Sequence, residues 1–110
     1  MNKFVKKEDF TYDADADAMY IYKNKSLKYK GSIDIGDFVI DISKEGKVKG
    51  LEILNTSVNL NVPKAALLKM TSAKLRVLQK PDAMYIQFSL LLPQKVEKSG
   101  IIPLAIPVRA

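Results

Sequence analysis

Three aspartates alternate in one short stretch, at Asp13, Asp15 and Asp17. Carboxylates at that density are the hard oxygen ligands that Ca²⁺ and Mg²⁺ take. A calcium-binding loop that began at Asp13 would need Gly at its sixth position and Glu at its twelfth. The chain has Ala18 and Asn24 there, so the EF-hand reading fails. Asp13, Asp15 and Asp17 remain candidates only for a looser cation site. The competing reading is a solvated hairpin loop whose charges discourage edge-to-edge pairing. The expectation is that no metal or other cofactor is required.

A second set of acids, Asp34, Asp37 and Asp41, lies on or beside the hairpin expected over residues 31–54, which also holds Glu52. Asp34 and Glu52 could face one another as a carboxylate pair, the arrangement that cleaves glycosides at roughly 5–9 Å separation. Surface ion pairing with abundant lysine is the simpler account. The chain contains no His and no Cys. Imidazole bases, thiolate nucleophiles and Cys-based metal sites are therefore absent, and Ser/His/Asp and Cys/His catalysis are excluded. The chain is read as a non-enzyme.

Tyr20, Tyr22 and Tyr29 interleave with Lys23, Lys25, Lys28 and Lys30. Aromatic and basic side chains on one sheet face can stack bases and hold phosphates. Tyr20, Tyr22, Lys23, Lys25, Lys28 and Lys30 are the candidate nucleic-acid-binding residues. Net charge is +6, and it is uneven. Residues 31–60 carry three lysines against five acids, whereas residues 61–110 carry eight Lys/Arg against two. A basic half suits nucleic acid or an acidic protein, although a Lys-rich solubilising surface looks the same.

Leu90-Leu91-Leu92 and the stretch from Ile101 to Val108 are more apolar than one small core need absorb. Apolar residues on both faces of a strand call for cover on both. Leu90, Leu91, Leu92, Ile102, Leu104 and Ile106 are therefore the candidate interface. The partner would be a second copy of the chain, or another protein added as a strand. Packing of the same residues against the chain's own helix is the alternative.

The elements that must position these groups follow from periodicity. The 110 residues suit a single domain, 1–110, able to build one core without disulfides. Phe10 to Tyr12 and Ala18 to Lys23 alternate as a hairpin across the Asp/Ala loop, with Met19 and Ile21 on one face and Tyr20 and Tyr22 on the other. Ile33 and Ile35 have odd parity, whereas Phe38, Ile40 and Ile42 have even parity. A bulge or tight bend at Gly36-Asp37 would return both sets to the core. With a turn at Ser43–Gly46, residues 31–54 make a second hairpin. Residues 55–62 read as a connector. Pro63 opens one short helix over 63–71. Residues 74–108 supply a third hairpin, turning at Lys80-Pro81-Asp82, and a C-terminal strand or arm after a loop over 94–100. Pro103 and Pro107 confine that last segment to an edge.

Residues 10–54 resemble domain-of-unknown-function family 2283, the YuzE-like proteins. The matching residues are Tyr12-Asp13, Asp15, Asp17-Ala18-Met19-Tyr20-Ile21, Val39-Ile40-Asp41-Ile42, Gly46 and Gly50-Leu51-Glu52-Ile53-Leu54. Met19 and Leu51 stand where Leu and Ile are more usual. The resemblance implies a small twisted antiparallel sheet with a helix. It carries over no catalytic or binding residue. Members often look like small proteins encoded beside toxin-like partners, which implies an interaction role. Asp17-Ala18-Met19-Tyr20-Ile21 recurs as Asp82-Ala83-Met84-Tyr85-Ile86, either as a duplicated hairpin or as two hairpins that reached the same solution.

The expected fold is α+β, mainly antiparallel β-hairpins forming a twisted sheet with one short helix. The expected function is a non-enzymatic, self-associating protein-interaction module with an antitoxin-like or regulatory role. Nucleic-acid binding through the Lys/Tyr segment is the alternative. No apolar run approaches the ~18 residues of a membrane span, and residues 1–9 hold no signal-peptide core, so a cytoplasmic protein is expected.

Overall fold

The computed structural model describes residues 3–105. The interface candidate Ile106, and with it Pro107 and Val108, lies outside the described residues. The chain is a sheet-rich α+β fold. Six strands form the first sheet: β1 (Phe4–Lys6), β2 (Phe10–Asp13), β3 (Ala18–Tyr22), β4 (Tyr29–Ile35), β5 (Phe38–Ser43) and β6 (Val48–Ile53). Their spatial order is β1-β2-β3-β6-β5-β4. Two short helices follow, α1 (Thr56–Leu60) and α2 (Lys64–Leu68). β7 (Ser72–Gln79), β8 (Ala83–Leu91) and β9 (Glu97–Ala105) make a second sheet in that order. Every pairing is antiparallel.

Burial sets the register. Phe10 lies opposite Ile21 and Tyr12 opposite Met19, and all four are buried. A slip of one residue would turn the whole set to solvent. In β8 the residues Ile86, Phe88 and Leu90 are buried, whereas Leu91 on the opposite face is exposed. The inner faces of the two sheets share one core, and the Phe38 and Phe88 rings meet across it at 6.1 Å.

Four sequence expectations are corrected. The parity change at Gly36-Asp37 is a two-residue hairpin turn between β4 and β5, with Ile35 opposite Phe38 and Gly36 at φ +57. Glycine takes that conformation without a Cβ penalty. Residues 29–53 are therefore a three-stranded meander, not one hairpin. There are two helices in place of one: the 55–62 connector contains α1, and Pro63 caps α2 from outside. The 94–100 loop is shorter than expected, because β9 already starts at Glu97 after a 3₁₀ turn at Pro93–Lys95. The sequence reading also passed over β1, a three-residue edge strand.

α1 has poor helix formers in Thr56, Ser57, Val58 and Asn59. Tertiary contacts hold it instead. The Thr56 N–H and hydroxyl both donate to the Asp17 carbonyl, at 2.9 and 3.0 Å. The Asn59 amide reaches the Asp37 carboxylate and the Leu54 carbonyl, tying the helix to the β4–β5 turn.

Candidate functional site

The three loop aspartates do different work. Asp13 accepts from the Asp15 and Ala16 backbone N–H groups, which closes the turn. Asp15 is exposed, 3.5 Å from the Lys3 ammonium. Asp17 is buried at φ +52, and its carboxylate accepts from the Tyr12 hydroxyl (2.7 Å), the Ser57 hydroxyl (2.7 Å) and the Ser57 N–H (3.0 Å). No cluster of three or more acids able to hold a metal ion occurs among the described residues. Burial by itself would raise the Asp17 carboxyl, but the donors from Tyr12 and Ser57 outweigh it and hold the group below its usual range. The Tyr12 hydroxyl is pushed well up, first by burial and then by its bond to Asp17. This constellation is a lock between the first hairpin and α1. Ser57 was not singled out from sequence; only its position after the family-like segment pointed toward it.

A second polar chain crosses the outer face of the six-stranded sheet. The Tyr20 hydroxyl donates to Asp41 at 2.7 Å, Ser32 donates to the other Asp41 oxygen at 2.7 Å, and the Ser32 and Tyr29 hydroxyls are 2.8 Å apart. Burial, then the bond to Asp41, raises the Tyr20 hydroxyl. The tip of the Tyr20 side chain lies against Gly50, where any Cβ would collide with the tyrosine ring and hydroxyl. Glycine is needed there because the ring occupies the place of its side chain. Tyr20, a candidate of the stacking platform, is thus half-buried with its hydroxyl engaged by Asp41. Asp34 and Glu52 are not neighbours: Val39 lies opposite each, on either side. Two strand spacings, about 10 Å, separate their backbones.

Tyr22 remains half-buried, edge-on to Tyr20 at 4.9 Å, with the Lys25 ammonium 4.6 Å from its ring centre. That is the geometry of a cation–π contact. Lys23, Lys25, Lys28 and Lys30 are exposed. A shallow groove of about 610 Å³ is lined by Tyr22, Lys23, Lys25 and Lys74, with Glu8 and Asp9 among its lining; Lys28 and Lys30 lie outside it.

The apolar interface candidates are mostly core. Leu90, Leu92, Ile102 and Leu104 are buried within the chain's own two-sheet interior. Of the described candidates, Leu91 alone faces solvent, 37% exposed. The physical reason is the second sheet: β8 and β9 turn these residues inward onto the first sheet, so no partner is needed to cover them. Larger exposures fall elsewhere, at Ile33 (42%) on β4 and Ile101 (60%) on β9. No helix among the described residues is long and apolar enough to cross a membrane.

Residues 9–57 match the family described as protein of unknown function DUF2283, and this part of the chain belongs to it. An uncharacterized protein of Methanocaldococcus jannaschii is 41% identical over 63 residues, which cover 57% of this chain and 53% of that protein. A Methanosarcina mazei protein described as "Putative hypoxanthine phosphoribosyltransferase" is 26% identical over 94 residues, 84% of this chain and 76% of that protein. The chain spans about half the length of the first of these relatives. No solved structure matches it.

Proposed function

We propose that this chain, whose residues 9–57 are a DUF2283 unit, is a non-enzymatic, cytoplasmic protein-interaction module that self-associates through an open sheet edge. One observation carries the reading. The six-stranded sheet ends in β4, seven residues bonded on one side only, with Ile33 exposed upon it. An unpaired edge offers a row of N–H and C=O groups to a further strand. A twisted sheet continued across two copies would satisfy them, and a regulatory partner could compete for the same edge. Sedimentation equilibrium on the full chain tests this. A dimer that persists in molar salt is expected, because backbone pairing is not screened. A monomer at every concentration and salt would overturn it.

The half-buried Tyr22, with Lys25 against its ring and the exposed Lys23 and Lys25 lining the same groove, favours a second reading, nucleic-acid binding. Single-stranded RNA affinity that falls steeply with salt would support it. Affinity unchanged by salt, or none, would sink it.

A further inference from the structure

The charges along β4 select one way for two copies to meet. Antiparallel pairing of identical strands about a two-fold axis places residue i opposite residue j, and j opposite i. With Ser32 on the axis, Lys30 lies opposite the second copy's Asp34, and Asp34 opposite its Lys30. Gly31 then meets Ile33, and Tyr29 meets Ile35. Opposite charges facing each other across strands are stabilising, and like charges are not. The arrangement contains two such pairs and no like-charge pair.

Both charges are unengaged inside the chain. The one ion pair among the described residues is Lys3 with Asp15. The register shift between Tyr29 and Gly31 leaves Lys30 without a partner in β5, and Lys30 and Asp34 are both exposed. The remaining edges are less suited. β1 is three residues long. β7 opposes Lys74 with Arg76, or Arg76 with itself, when its two-fold centre is at Leu75 or Arg76. β9 contains Pro103, which has no N–H to donate.

We propose that β4 pairs with β4 of a second copy about a two-fold axis at Ser32, joined by two Lys30–Asp34 contacts. This rests on the self-association reading above and adds the edge and the register to it. The contact is small, so a dimer with a Kd on the order of micromolar or weaker is expected.

Because the chain has no cysteine, Ser32→Cys places a single thiol in the protein. Residues opposite one another across antiparallel strands have Cβ atoms about 4.5–5.5 Å apart, close enough for a disulfide after slight movement. Mild oxidation of full-length Ser32→Cys is expected to give a covalent dimer on a denaturing gel, whereas Ile33→Cys is not. Lys30→Glu and Asp34→Lys alone are each expected to weaken dimerisation about tenfold by sedimentation, and the double exchange to restore it. Cross-linking through Ile33→Cys, or a dimer indifferent to both charge reversals, would overturn the proposed register while leaving self-association standing. A protein that is monomeric throughout would overturn both. Circular dichroism of each variant confirms that the fold is retained.

Discussion

Tyr12 and Asp17, five residues apart across the first hairpin loop, share a buried 2.7 Å hydrogen bond. Ser57, from the start of α1, donates twice to the same carboxylate. A buried carboxylate held by three donors is stable only while it is ionised. The Ser57 bonds join the first hairpin to a helix that its own residues would not sustain.

The consequence is a pH-dependent stability term. The Asp17 carboxyl is depressed in the folded chain below its ordinary value of 3.8. Its contribution is therefore complete above that value and is lost as pH falls through the lower folded value. Urea midpoints measured down to about pH 2 should fall more steeply for the native chain than for Asp17→Asn. Equal slopes would mean that other carboxylates carry the acid sensitivity. Tyr12→Phe should cost about 1–3 kcal/mol at neutral pH.

Gly50→Ala should destabilise the chain by about 1–3 kcal/mol, since the new methyl group must displace the Tyr20 ring. The Tyr20–Asp41 bond should be lost with it. Combining Gly50→Ala with Tyr20→Ala should recover part of the loss, because the clash is removed. A neutral Gly50→Ala in chemical denaturation would show that the ring moves aside at no cost.

Leu90→Asp should unfold the chain rather than dissociate an oligomer. The side chain is fully buried between the sheets, and an unpaired carboxylate there costs more than about 4 kcal/mol. Circular dichroism and sedimentation on the same sample separate the two outcomes. A folded monomer would restore Leu90 to an interface.

Replacing Lys23, Lys25 and Lys28 with Ala removes three exposed charges, two of them in the groove beside Tyr22, and should leave stability within about 0.5 kcal/mol. If the groove beside Tyr22 holds a phosphate backbone, the salt slope of RNA binding should drop by about two to three. An unchanged slope would place any binding elsewhere.

Much of the framework was legible before the coordinates. Alternation placed Met19 and Ile21 opposite in face to Tyr20 and Tyr22, and located Ile86, Phe88 and Leu90 on one side of β8. The Tyr-Asp and Asp-Ala-Met-Tyr-Ile residues pointed to the family that residues 9–57 match. Pro103 marked an edge, and β9 is one. These features are local: side-chain alternation, turn chemistry and proline's missing N–H act within a few residues.

What periodicity lacks is the identity of the covering surface. Leu90, Leu92, Ile102 and Leu104 read equally well as interface or core, and only the packing of the second sheet against the first made them core. Asp17 looked like a member of an acidic cluster until Tyr12 and Ser57 surrounded it. Gly50 looked like an ordinary strand glycine until Tyr20 lay against it. α1 was invisible because its stability comes from a carbonyl 39 residues away. The sequence by itself determined which residues share a face and where the chain turns, because those depend on local geometry. The tertiary structure alone decided what each face meets, which strand ends the sheet, and which charges remain unpaired, because those depend on contacts between segments far apart in the chain.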